Sequence, residues 1–252
     1  MSSTAQQNTS FVSTRALVGI SVVILYASVL ATIYLNFPEM KPEEKVHFKY
    51  PRSIEDAKRL GNVLSRYKDQ HFYTVLAGVA SVYIVLQSFA IPGSIFLTIL
   101  SGYLFPFPIA LFLVCTCSAC GAAMCYYLSY TMGRSLVMRY FPDKLIKWQK
   151  EIQQQRDNLF YYIVFLRVTP ILPNWFINIA SPVIDVPILP FFLGTFAGVA
   201  PPSFFFIQAG KTIHQMTTTN AVISWTSMAV LLLFGLLSLL PVIYKRYKLK
   251  TD

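Results

Sequence analysis

Charge is what this sequence lacks. Charged residues fill 13% of its 252 positions, whereas a soluble globular domain carries about 25%. Hydrophobic residues account for 55%, so an ordinary water-soluble domain is excluded. Histidine is scarce as well. His47, His71 and His214 are scattered along the chain and form no metal-ligand cluster or nucleophile–base pair. Gly210-Lys211-Thr212 has the ending of a P-loop, but the required glycine would fall at Phe205 and no strand precedes it. The alternating segments of about 10 residues that build a membrane β-barrel are missing too. The sequence gives no support for an enzyme, a metal, a cofactor, nucleotide binding or an ATP-driven pump.

What the chain has is long apolar runs. Crossing the hydrocarbon of a bilayer takes about 20 residues of helix. The runs 16–37, 72–91, 109–132, 187–209 and 223–244 meet that need, and 158–181 is an interrupted sixth. The first is too long for a typical cleavable leader and reads as a retained signal anchor. This is an all-α polytopic integral membrane protein, with both five and six crossings compatible with the pattern.

The net charge of +10 invites a nucleic-acid reading, which the placement of charge rejects. Eight basic and six acidic residues lie in 38–70, six and three in 133–157, and four and one in 245–252. Basic loops beside spans set topology and meet anionic headgroups. Only Arg15, Arg167, Lys211 and Asp185 fall elsewhere.

All four cysteines, Cys115, Cys117, Cys120 and Cys125, share one span with Ser118, Ala119, Gly121, Ala122 and Ala123. That composition reads as a small-residue helix–helix seam rather than a zinc site or disulfide framework. Residues 1–15 are polar and expected to be disordered, and Asn8-Thr9-Ser10 has the form of a glycosylation sequon. In the stretch 38–71, Ser53-Ile54-Glu55-Asp56 is a capping-box pattern, followed by Ile54, Ala57, Leu60, Leu64 and Tyr67 at helical spacing. A second amphipathic helix is expected from Pro142, with Leu145, Trp148, Ile152 and Leu159 on one face. Both are expected at the membrane surface.

Two apolar segments are broken. In the first, Pro92-Gly93 opens and Pro106 and Pro108 close a run too short to cross. The second carries Pro170, Pro173, Pro182 and Pro187. An offset of 81 residues lays Pro92 on Pro173 and Pro106 on Pro187, though little else is identical between the two. The order span, broken element, span recurs, and paired broken segments are the best sequence pointer to a transport site near the midplane. We therefore expect two re-entrant hairpins related by a weak internal repeat, within a core covering 72–209. A loop and last span would follow over 210–244, then a basic tail at 245–252.

Arg167 lies in the second broken element. An arginine at membrane depth costs about 2.5–3.5 kcal/mol on the insertion scale. It could be offset by a buried pair with Asp185, or it could line a hydrated groove where its planar fork meets a lipid phosphate. Asn174 and Asn178, one helical turn apart, would either face that same groove or bond helix to helix. Lys250 and Lys248, third and fifth from the end, have the form of a dilysine retrieval signal of the endoplasmic reticulum; a plain basic tail is the alternative.

The stretches FAIPGSIFLTILSGYLFPFPIALFLV (89–114), GAAMCYYLSYTMGR (121–134), FLRVTPILPNWFINIASPV (165–183) and GTFAGVAPPSFFFIQAG (194–210) closely resemble the VTT-domain branch of the DedA superfamily. Within it they are similar to the Stasimon-type, transmembrane protein 41 group. The resemblance spans roughly 37–245. It implies an energy-independent phospholipid scramblase of the endoplasmic reticulum, built on two re-entrant hairpins, that supports autophagosome formation and lipid mobilisation. Its partners would be membrane phospholipids, with lipid-transfer or autophagy proteins at contact sites. Arginines matching Arg134 and Arg167 are functionally important in bacterial relatives. Many of those carry an acidic residue linked to proton coupling where this chain has Ser94, so proton-driven transport does not carry over. An ion- or proton-coupled transporter and a non-transporting membrane-shaping protein stay open as alternatives.

Overall fold

In a computed structural model of the chain, the backbone is described for residues 2–140, 142–170 and 172–216, and side chains for 19–131, 145–150, 152–170 and 172–215. The described elements are all helical: α1 Ser2–Leu35, α2 Pro42–Lys45, α3 Ile54–Lys68, α4 Phe72–Ser88, α5 Ser94–Leu104, α6 Phe107–Tyr140, α7 Pro142–Gln154, a 3-10 turn Arg156–Asn158, α8 Leu159–Val168, α9 Asn174–Val183, α10 Ile188–Gly198 and α11 Ala200–Met216. Among the described residues, two stretches are long and apolar enough to cross a membrane, Phe107–Thr131 within α6 and Ile188–Gln215 across α10 and α11.

Proline and glycine set the breaks. Pro92 lacks an amide hydrogen, and Gly93 caps α5 at φ 112°, a left-handed conformation that glycine adopts at no steric cost. A Cβ at Gly93 would also meet the Tyr50 hydroxyl. Pro106 separates α5 from α6, and Pro170 and Pro173 occupy the gap between α8 and α9. Pro187 caps α10. Pro182 does not break a helix: it sits inside α9 near its end, where the missing amide and ring clash matter only for the last turn. At 11 and 10 residues, α5 and α9 reach about 15–16 Å, half of what a crossing needs.

These breaks produce two similar triplets. The first is α4, α5 and α6; the second is α8, α9 and the α10–α11 pair. The long helices start at Phe107 and Ile188, keeping the 81-residue offset of the prolines. In each triplet the first helix packs on its own long helix, α4 on α6 and α8 on α10. Each broken helix packs on the long helix of the other triplet, α5 on α11 and α9 on α6.

Gly102 and Gly210 make the first of those exchanges possible. A Cβ on Gly102 would collide with the Ile207 backbone, and one on Gly210 with the Ile99 carbonyl. The α6 seam behaves as expected, with Ser118, Ala119 and Ala122 buried and Gly121 against Ile84 and Gln87 of α4. The four thiols are free.

Three expectations are corrected. The polar lead is helical, because no proline or glycine interrupts it before Gly19 and α1 runs unbroken from Ser2. Residues 210–216 belong to α11 and not to a loop. The third concerns α3. Ser53 caps it by accepting from the Asp56 amide at 3.0 Å, as the capping pattern requires. Its apolar face, however, is buried on α5 and α4 rather than in lipid, with Ala57, Val63 and Leu64 inside and Ile54 exposed. Protein packing supplies the partner that a lone amphipathic helix would seek in a headgroup layer.

Glu44 anchors the packing of α2 against α3. It is buried, accepts from the Tyr67 hydroxyl and pairs with Arg66 at 2.9 Å. The Tyr67 bond, helped by Lys41 and Arg66, holds its carboxyl below the ordinary glutamate value. In α7, Leu145 is buried and Trp148 exposed. The expected last span at 223–244 and the tail lysines Lys248 and Lys250 lie outside the described residues.

Candidate functional site

The two broken helices bring their N-terminal ends to one cavity. It has a volume of about 160 Å³, enough for several waters given polar partners. Ile95 and Thr98 of α5 and Asn174, the first residue of α9, form part of its wall. Val199, Pro202, Ser203 and Phe206 close it from the α10–α11 junction, and Tyr83 and Ser118 from α4 and α6.

Hydroxyls run across this cavity as a chain. Ser118 Oγ donates to the Tyr83 hydroxyl at 3.2 Å, which lies 3.1 Å from Thr98 Oγ1. Thr98 Oγ1 in turn donates to the Ser94 carbonyl at 3.1 Å. Tyr83, Thr98 and Ser118 are each buried. Polar groups taken out of water are costly unless bonded, and here they satisfy one another beside a space that can hold a polar guest.

Arg167 stands behind the Asn174 wall. It lies in the last turn of α8, where a cation meets the helix's free carbonyls favourably, and the residue is 4% exposed. Nη1 donates to the Asn174 backbone carbonyl and to Asn174 Oδ1, both at 3.2 Å. Nη2 donates to Asn178 Oδ1 at 2.6 Å and to Thr195 Oγ1 at 3.0 Å. The guanidinium lies over the Phe191 ring, 5.4 Å from its centroid. Gly198 admits the stem, since a Cβ there would press on Arg167 Cβ. Arg167 Nε and Asn178 Nδ2 are buried without an acceptor.

Arg167, Asn174 and Asn178 therefore come together, as their spacing suggested. Asp185 does not join them, and among the described residues no ion pair includes Arg167. Asp185 sits in the exposed turn before α10 at φ 61°, a conformation that aspartate tolerates better than most residues. Its carboxylate accepts from Gln149 Nε2 of α7 at 2.7 Å. Arg167 itself is held within protein, with Asn174 as the group that reaches the cavity. Arg134 falls on α6, its side chain outside the described residues.

Sequence reasoning missed Thr195, Tyr83, Ser118, Ser203 and Gln149. A signal existed for α5, where Ser94, Thr98 and Ser101 recur at i, i+4 and i+7 and mark one polar face. Thr195 and Ser203 stand alone in apolar runs, and only the tertiary packing shows what they touch.

Comparison with known proteins places this geometry. The VTT domain family matches residues 91–212, the stretch that contains α5, α6, α9 and the whole cavity wall except Tyr83. The Transmembrane protein 41 homolog of Caenorhabditis elegans is 58% identical over 227 residues, covering 90% of this chain and 92% of that protein. Transmembrane protein 41B of Mus musculus is 53% identical over 233 residues, 92% of this chain and 80% of that protein. Its counterpart in Homo sapiens is 53% identical over 234 residues, 93% and 80% of the two chains. No solved structure matches. The chain belongs to the transmembrane protein 41 family of VTT-domain membrane proteins, within the DedA superfamily.

Proposed function

We propose that the protein is an energy-independent phospholipid scramblase of the endoplasmic reticulum membrane, supporting autophagosome formation and lipid mobilisation. One observation carries the reading: two half-length helices direct their N-terminal turns to a single cavity whose wall includes Tyr83, Thr98, Ser118, Asn174 and Ser203. Helix N-termini are electropositive and favour anionic groups, and the arrangement parallels the midplane sites of transporters with discontinuous helices. On this reading α5 and α9 are the arms of two re-entrant hairpins among five to six crossings. A headgroup passes between them while its tails stay in lipid.

Arg167 then acts as a positioning residue. It fixes Asn174 and the start of α9 at the cavity wall and places a positive charge one side chain behind it. Arg167 Nε and Asn178 Nδ2 stay without acceptors behind that wall, so the group that meets an arriving phosphate or ester oxygen is Asn174. No acidic residue is among the described lining, which favours passive exchange over proton or sodium coupling.

Purified protein in liposomes with a fluorescent lipid tests this directly. Bleaching by an external reductant stops near half without protein and should pass well beyond it with protein, whether or not a pH gradient is imposed. Bleaching that stays near half with verified insertion discards scrambling. Activity that requires the gradient assigns coupled transport instead. Changing Lys248 and Lys250 to serine should release the protein from the endoplasmic reticulum.

A further inference from the structure

A second cavity, of about 340 Å³, lies on the opposite face of α5. Its walls are apolar: Leu30 and Ile33 of α1, Val75 and Gly78 of α4, Leu97 and Leu100 of α5. On α5 the pair Leu97 and Leu100 points nearly opposite to Ile95 and Thr98, which face the polar cavity. Lys49 and Tyr50, from the loop before α3, stand at one end. We propose that this cavity is a resident-lipid site, taking one acyl chain of an acidic phospholipid whose phosphate is met by Lys49.

The occupant follows from the surroundings. Tyr34 of α1 lines the cavity and is itself exposed, as are Val23 and Val29 on the same helix, so this apolar wall borders hydrocarbon. Left empty, the cavity would forfeit dispersion contacts along every wall, and the neighbouring material able to fill it is a lipid tail. A polar solute would find no partners among these walls. Because a tail leaves one apolar medium for another, no hydrophobic gain selects the ligand. Selection therefore rests on shape and on the headgroup.

Lys49 is the cation available there. Its side chain is 63% exposed, and its contact with Asp56 is loose at 3.7 Å. The Asp56 carboxylate is engaged elsewhere, accepting from the Arg52 amide at 3.3 Å. A phosphate can thus take Lys49 without breaking a tight pair. Arg52 adds a second positive charge nearby in sequence.

The site also bears on the polar cavity. Tyr50 donates to the Pro92 carbonyl at 3.4 Å and touches Gly93, the hinge at which α5 begins. A tail seated along Leu97 and Leu100 braces α5 from behind, so occupancy and the position of Thr98 are linked.

The test uses native mass spectrometry of the detergent-purified full chain, offered phosphatidylglycerol or phosphatidylcholine with identical tails. The wild type should retain one phosphatidylglycerol in preference. Gly78→Leu fills the cavity from α4, where an added Cβ has ordinary room against Ile33, and should lose both lipids while eluting as a single species. Lys49→Gln should lower phosphatidylglycerol retention several-fold and leave phosphatidylcholine unchanged. Wild-type retention by Gly78→Leu, equal retention of the two lipids, or preferential retention of a co-purified sterol overturns the assignment. Lys49→Gln, on an exposed side chain, decides the matter if Gly78→Leu does not fold. None of these readouts depends on scrambling.

Discussion

Replacing Arg167 by lysine separates two ways in which a buried cation can serve this site. Lysine keeps the charge but offers a single ammonium in place of a planar fork. The arginine makes four hydrogen bonds, two to Asn174 and one each to Asn178 and Thr195. Such bonds inside membrane proteins average about 0.6 kcal/mol each. Losing most of them weakens the docking of α9 by about 2 kcal/mol, roughly a thirtyfold change in the docked population. Arg167→Lys should therefore yield a folded protein with a lowered melting temperature and slowed lipid exchange. Thr195→Val, which removes one acceptor, should have the same effects at about a quarter of the free energy. The assay pairs liposome bleaching with labelling of a cysteine placed at Trp175, which lies on α9 beside Asn174. Exchange at wild-type rate in Arg167→Lys would show that charge alone suffices, and the positioning role would have to be abandoned.

Gly102→Val and Gly210→Val drive a side chain into backbone that has no room to retreat, so each should cost at least the ~1–3 kcal/mol typical of overpacking. Gly19→Ala, with nothing near its Cβ, should be neutral or slightly stabilising, and thermal melts compare the three. Tyr83→Phe interrupts the hydroxyl chain and should slow bleaching while lowering stability by only about 1 kcal/mol; unchanged exchange would remove Tyr83 from the path. Glu44 has a folded-state pKa below its ordinary value of 4.5. Its contribution is therefore complete above that value and is lost as pH falls through the lower, folded one. Melting temperature should drop on acidification in this window, and Glu44→Gln should flatten that drop while lowering stability at neutral pH.

Much of the fold could be read from proline placement, because a missing amide and a fixed φ act locally whatever the surroundings. Pro92, Pro106, Pro173 and Pro187 mark helix ends, and their offset survives as the spacing between the starts of α6 and α10. Pro182 escaped this logic, since a proline in a final turn ends a helix that was ending anyway. The grouping of Arg167 with Asn174 and Asn178 was legible because helical spacing places the two amides together. Its chemistry was not. That Thr195 completes the set, and that Asp185 turns away to Gln149, depends on how α10 and α7 pack. The burial of α3 was hidden for a related reason: an amphipathic pattern specifies an apolar partner, not whether that partner is lipid or protein.

The exchange of partners between the triplets has a mechanical consequence. Since α5 rides on α11 and α9 rides on α6, neither half of the molecule can tilt in the bilayer without carrying an arm that belongs to its counterpart. A rocking movement that widens the space between the arms on one side must reshape it on the other in the same stroke. The fold thus behaves as a pair of clasped hands, and under the scrambling proposed above, lipid entry from either surface would be governed by one shared motion.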